Sequence, residues 1–181
     1  MLFRSQNMMA AAAGLASVGY IPIVTTFAVF CLRAVEQARL SIAYARRNVK
    51  IVASHPGLDV GPDGGSAQAL EDMAAFRAIP GMTVISPADP IEMALATKAM
   101  LDFDGPVYVR TGRSPAMRIF GDDHTFEIGK GQILRDGGDV TLVACGVEVA
   151  RALEAAEMLA HEGIADRKST RLNSSHGYIS Y

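Results

Sequence analysis

Short apolar, β-branched runs alternate along the chain with longer segments whose apolar positions recur every three or four residues, and glycine or proline marks most joins. Residues 8–18 are alanine-rich and predict a helix ended by Gly19. A buried strand follows over 21–27, with Pro22 near its start, and then a helix over 30–47, where Ala34, Ala38 and Ile42 keep helical spacing. Residues 49–53 predict a strand, 57–65 a glycine-rich loop, and 66–79 a helix stopped by Pro80-Gly81. After a strand over 82–85, Asp89-Pro90-Ile91-Glu92 supplies an N-cap, a first-turn proline and a capping-box acid for a helix reaching about Phe103. Then come a strand over 107–110, a polar connection over 111–125, a hairpin arm over 126–134, a buried strand over 140–144 and a helix over 147–160.

This alternation predicts an α/β fold: a parallel sheet with helices on both faces, plus the first strand and helix of a truncated second α/β domain. One strand and one helix cannot make a core alone. The expected division is 6–113 for the first domain, 114–136 for linker and hairpin arm, and 137–165 for the start of the second. There is no internal repeat.

From Asp166 the periodicity stops, and Asp-Arg-Lys-Ser-Thr-Arg-Leu-Asn-Ser-Ser-His resembles a translated sequencing-library adapter. Leu2-Phe3-Arg4-Ser5 resembles the complementary adapter end, so 1–5 and 166–181 are expected to be artefacts that pack against nothing. Residues 6–165 then carry 13 Lys and Arg against 18 Asp and Glu, a net charge of −5 rather than −2.

With 50% hydrophobic and 20% charged residues, the chain has a globular and not a disordered composition. Its basic residues form no stripe that could track a nucleic-acid backbone, so no nucleic-acid partner is expected. No apolar run approaches the roughly 20 residues of a membrane span, and the first residues lack a signal-peptide layout; the expected location is cytoplasmic. Cys31 and Cys145 lie in apolar runs and are expected to be buried thiols, with no metal site.

The stretch Ser54-His55-Pro56-Gly57-Leu58-Asp59-Val60-Gly61-Pro62-Asp63-Gly64-Gly65-Ser66-Ala67-Gln68 carries the most chemistry. It connects a strand to a helix, at the strand end where α/β sheets bind ligands. Its glycines allow close backbone approach, and His55 and Asp63 add polar groups. A single histidine beside a strand is more often structural than catalytic, so this loop alone decides nothing. It lacks the Gly-Lys-Ser/Thr of a nucleotide P-loop. Gly64-Gly65-Ser66-Ala67-Gln68 misses the final glycine of a hydrolase nucleophile elbow.

Many modest motifs in one order resemble the transketolase family. They are Gln6-Asn7-Met8-Met9, Ala13-Gly14-Leu15-Ala16, Thr25-Thr26-Phe27-Ala28-Val29-Phe30, the His55 loop, Gln68-Ala69-Leu70-Glu71-Asp72, Ile79-Pro80-Gly81-Met82 and Gly105-Pro106-Val107-Tyr108. The order continues through Phe126-Glu127-Ile128-Gly129-Lys130-Gly131, Asp139-Val140-Thr141 and Glu154-Ala155-Ala156-Glu157-Met158-Leu159. The resemblance covers 6–165 and is nearest to the carboxyl-terminal subunit of split bacterial transketolases. It implies a thiamine-diphosphate pyrimidine-binding fold and transfer of a two-carbon ketol unit from a ketose phosphate to an aldose. Mg²⁺ and the diphosphate would be held by a partner domain or subunit, in a dimer or hetero-oligomer.

Residue by residue, the resemblance implies that Phe27 and Phe30 wall the pyrimidine pocket, with Gln6 nearby on the cofactor side. It makes His55 a catalytic and sugar-binding residue, Asp63 a reader of hydroxyl configuration, and Arg113 the grip on a substrate phosphate, a role that suits a guanidinium. Three positions depart from the family pattern. Ser5 stands where a cofactor-activating glutamate is expected, Ala67 where a second histidine is usual, and Arg33 where an aromatic is common. The alternatives are a beta-type subunit of a 2-oxoacid dehydrogenase, which shares the fold and the Gly129-Lys130-Gly131 region, and a non-catalytic interaction subunit.

Overall fold

The computed structural model describes residues 5–170, with side chains through Ala165. Helix α1 (Ser5–Ser17) ends as its sequence requires. Gly19 adopts φ +93°, Gly19 N donates to Ala16 O at 3.3 Å and Tyr20 N to Leu15 O at 3.3 Å, closing the last carbonyls in a left-handed cap. Strand β1 (Ile23–Phe27) leads into a composite helix made of α2 (Ala28–Cys31), a 3₁₀ turn (Leu32–Ala34), α3 (Val35–Gln37) and a π-helical turn (Ala38–Tyr44). Ala34, Ala38 and Ile42 are fully buried, so the apolar face read from their spacing faces the core although the ladder is irregular.

After β2 (Lys50–Ser54) the helix expected over 66–79 is reduced to α4 (Asp72–Arg77). Two 3₁₀ turns (Gly61–Asp63 and Gly65–Ala67) precede it, and Ala69 lies extended across the loop, accepting from Gly57 N at 2.7 Å. Satisfying that backbone donor prevents the alanine-rich stretch from winding into helix. β3 (Thr83–Ile85), α5 (Pro90–Asp102) and β4 (Val107–Thr111) complete the first unit. The α5 start is as expected: the Asp89 carboxylate accepts from Glu92 N at 2.7 Å, and that of Glu92 accepts from Ala88 N at 2.6 Å.

These strands form a wholly parallel sheet in the order β1-β2-β4-β3 with flanking helices, an α/β fold. The register is flush: Phe27 pairs with Ser54, and Ser54 with Thr111.

The second unit departs from expectation. The arm over 126–134 is no hairpin. Instead β5 (Gln132–Arg135) joins β6 (Val140–Ala144) and β7 (Asp166–Thr170) in a three-stranded sheet, order β5-β7-β6, with α6 (Glu148–His161) alongside. Thus Asp166–Thr170, expected to pack against nothing, is the central strand, parallel to β6 and antiparallel to β5. Backbone groups pair whatever side chains they carry, and the open edges of β5 and β6 supply the template. Ser5 opens α1, while 1–4 and 171–181 lie outside the described residues. Cys31 is buried as expected, but Cys145 is only half-buried; both are free thiols.

A polar cluster locks α4 to the sheet. The Asp72 carboxylate, fully buried, accepts from Tyr108 Oη at 2.8 Å, and from Arg110 Nε at 2.9 Å and Nη2 at 3.1 Å. Burial, reinforced by the Asp72 charge, pushes the Tyr108 phenol far up, so it remains a donor. The same two causes push the Cys31 thiol up to about 12, leaving it unreactive near neutral pH. Asp72→Ala strands a buried hydroxyl and a largely buried guanidinium and should cost about 3–5 kcal/mol. Asp72→Asn, which keeps one acceptor, should cost less; urea midpoints with unchanged m-values check the order.

At the opposite sheet edge the fully buried Lys50 ammonium donates to Phe103 O at 2.6 Å and Gly105 O at 2.8 Å, at the carboxyl end of α5. Burial lowers its pKa from 10.5 to about 8, outweighing the nearby Asp104 charge. Below pH 8 both folded and unfolded chains carry the proton, and the cost of burying charge is fully present. Between about 8 and 10.5 only the unfolded chain holds it, so this group's contribution to stability rises with pH. Relative to Lys50→Met, the native chain should gain up to about 3 kcal/mol across that window, read from paired denaturation curves.

Candidate functional site

Phe27 closes β1, His55 follows β2 and Arg113 stands two residues past β4, so flush register delivers all three to one sheet edge. The Phe27 ring is covered on both sides. It stacks on Phe30 (centroids 5.4 Å apart, planes 6° apart) and on the His55 imidazole (3.7 Å, 17°). Phe30 is 38% exposed, and the Arg33 guanidinium lies 5.7 Å from its ring centroid.

His55 is held at both ring nitrogens. Nδ1 lies 2.9 Å from Ser54 Oγ, and Nε2 lies 3.3 Å from Asp63 Oδ2. A carboxylate only accepts, so in the neutral ring Nε2 carries the hydrogen and Nδ1 accepts from the Ser54 hydroxyl. Arg113 Nε donates to the same Asp63 oxygen at 3.2 Å, and Ser114 Oγ donates to Asp59 Oδ1 at 2.8 Å. His55, Asp63 and Arg113 therefore form one chain of contacts, the imidazole largely covered and the guanidinium 41% exposed.

Five of the six residues singled out from sequence thus converge: Phe27, Phe30, His55, Asp63 and Arg113. Gln6 does not join them; it is exposed in the first turn of α1 and makes none of these contacts. Sequence reasoning missed Ser54, which orients the imidazole, and the pairing of Asp59 with Ser114. A serine beside the histidine was the available signal for the first; the second spans 55 positions and left none. Ala67 is buried in its 3₁₀ turn and offers no polar group. A cavity of about 310 Å³ lies elsewhere, between the two units, bordered by Ser86, Glu92, Phe120, Lys130 and Cys145.

Comparison with known proteins shows the family. The family profile described as "Transketolase, pyrimidine binding domain" matches residues 3–117, and "Transketolase, C-terminal domain" matches 129–167. The chain belongs to the transketolase family. It is 48% identical over 159 residues to the 6-deoxy-6-sulfo-D-fructose transketolase subunit SqwH of Clostridium sp. (strain MSTE9), covering 87% of this chain and 49% of that protein. It is 47% identical over 163 residues to a putative transketolase C-terminal section of Methanocaldococcus jannaschii, covering 88% and 52%. Among solved structures, a split-gene transketolase described as an inactive beta4 tetramer superposes with a TM-score of 0.85 at 47% identity, covering 93% of this chain and 54% of that one. The chain spans about half the length of these relatives. Among the described residues no helix is long and apolar enough to cross a membrane.

His55 adopts φ +59°, a left-handed conformation that disfavours a Cβ. His55→Gly should therefore be more stable than His55→Ala by about 1 kcal/mol, although both lose the same ring contacts. Chemical denaturation of the two variants tests the backbone assignment without reference to activity.

Proposed function

We propose that the parent protein transfers a two-carbon ketol unit from a ketose to an aldose with thiamine diphosphate, this chain supplying the pyrimidine-side wall and the sugar-reading loop. The observation that carries the proposal is the His55–Asp63–Arg113 chain beside the Phe27–Phe30 stack, at the carboxyl edge of β1, β2 and β4. The exposed ring of Phe30 fits a planar heteroaromatic, with Arg33 free to swing aside at the surface. Phe27, sandwiched between Phe30 and His55, backs that ring and does not touch the cofactor face to face.

When bound, the cofactor supplies the carbon that holds the two-carbon unit and stabilises its charge. The chain's own residues bind and orient the sugar. When a sugar hydroxyl takes the place of the imidazole as donor to Asp63, the Nε2–H of His55 is released to donate to a sugar hydroxyl or to the oxygen where charge develops. Asp63 accepts from a hydroxyl of matching configuration, and Arg113, more exposed, meets an anionic terminus such as a phosphate. Ala67 adds no donor, so hydroxyl recognition on this loop rests on His55 and Asp63. Ser5 cannot replace the carboxylate that the family pattern requires for cofactor activation. Mg²⁺ and the diphosphate belong to a partner domain or subunit, with the cytoplasm as the site of action. The glycine-rich His55 loop favours this reading over a 2-oxoacid dehydrogenase beta-type subunit, whose acyl substrates need no reader of hydroxyls.

The chain alone, with thiamine diphosphate and Mg²⁺, should show no two-carbon transfer from a ketose donor to an aldehyde acceptor. A longer parent chain carrying the glutamate, assembled with its diphosphate-binding partner, should show it. Restoring the glutamate at position 5 of this chain alone should not give turnover. Transfer by the chain as it stands, or none by the complete assembly, would overturn the proposal.

A further inference from the structure

Arg113 sits in a turn with few supports. Upstream, the β4 ladder holds Thr111 opposite Ser54. Downstream, Pro115, Ala116, Met117 and Arg118 are all exposed, and the next strand begins only at Gln132. Toward the glycine-rich loop, Arg113 and Ser114 reach Asp63 and Asp59. The remaining side of the turn faces the second unit, where a Cβ built on Gly112 would come within 3.3 Å of Val147 Cγ1.

The position of Val147 is itself fixed. It is the N-cap residue of α6, and the preceding Gly146 donates its N–H to Ser86 O at 3.2 Å, just beyond β3. Gly146 has φ +60°, and a Cβ there would lie 2.9 Å from Ser86 Oγ. The positive φ favours glycine at this position, and the nearest backbone atom to such a Cβ, Pro87 O, lies 3.9 Å away. Val149, two residues on, is 1% exposed. The end of β3 thus fixes Gly146, Gly146 fixes Val147, and Val147 backs Gly112, the neighbour of Arg113. A cavity of about 230 Å³ borders Gly112, Ser114 and Val147, so the turn has room to shift if the valine side chain is cut back.

We infer that Val147 is a positioning residue: the second unit sets the reach of the Arg113 guanidinium by limiting how far Gly112 can move toward it. This rests on the proposed reaction for the ligand, but the geometric link does not. In the chain itself, the ¹⁵N-labelled Nε–H resonance of Arg113 reports its contact with Asp63. Val147→Ala should broaden or shift that resonance, as should Gly112→Ala through the 3.3 Å contact. The double variant, in which the new methyl occupies the space vacated by the valine, should return it toward the native position.

In the assembled enzyme, Val147→Ala should raise KM for a phosphorylated ketose about 3- to 10-fold, with kcat nearly unchanged. A non-phosphorylated donor should respond little, and an Arg113→Gln background should abolish the effect. A purely structural role would instead lower activity with both donors equally. The inference is overturned if Val147→Ala, folded by circular dichroism, leaves the Arg113 resonance unmoved, or if the double variant is as perturbed as the singles. An assembly without two-carbon transfer would defeat the proposed function while the resonance still decides the positioning role.

Discussion

Phe27, Ser54 and Thr111 are neighbours on one hydrogen-bond ladder, and the site depends on that flush register. Three parallel strands ending at the same level present an aromatic ring, a histidine-bearing loop and an arginine-bearing turn along one edge. A slip of one residue in β2 would turn Ser54 to the opposite face and reverse the strand's buried pattern. Ile51 and Ala53, both fully buried, oppose such a slip with apolar surface, so the same residues that make the core also set the aim of the site.

The second constraint is the single carboxylate of Asp72. Its helix, α4, is only six residues long, too short to hold its place by its own hydrogen bonds. A bidentate guanidinium from β4 and a phenol from the same strand fix it to the sheet, while Phe76 of α4 stacks on the Tyr108 ring at 3.9 Å. Arg110 is one residue from Thr111 and three from Arg113, so the ion pair also stiffens the strand end from which the Arg113 turn departs. Lys50 plays the corresponding part at the other edge, tying the carboxyl end of α5 to the start of β2.

Much of this was legible in the sequence because it follows from local pattern. The strand read over 140–144 is β6 to the residue, although not buried as expected, with Val140 and Val143 exposed; the cap of α5 follows from Asp89-Pro90-Ile91-Glu92. The convergence of five candidate residues came from the family resemblance and not from periodicity. What failed was what only tertiary structure decides. Asp72 falls inside the helix expected over 66–79, and its partners lie 36 and 38 positions away. Residues 66–71 have helix-forming composition, yet 65–67 form only a 3₁₀ turn and a backbone donor in the glycine loop holds Ala69 extended. Asp166–Thr170 has no alternation of apolar residues, so a strand set by backbone pairing left no trace in the pattern.

One oxygen joins the polar groups of the candidate site. Asp63 Oδ2 is the contact atom for both His55 Nε2 and Arg113 Nε, at 3.3 and 3.2 Å, in a side chain 34% exposed to solvent. The three groups therefore cannot be adjusted separately. Anything that draws Arg113 outward removes positive charge from Asp63 and strengthens its hold on the imidazole proton, while anything that draws His55 away does the converse. Because Ser54 grips the other ring nitrogen and Phe27 covers the ring face, the imidazole has little freedom to answer by rotating. The adjustment falls on Arg113, the most exposed member, carried by a turn that strand pairing supports on its upstream side alone. In such an arrangement the covered histidine sets the geometry, and the more exposed arginine on the turn after Gly112 is the member with room to adapt to it.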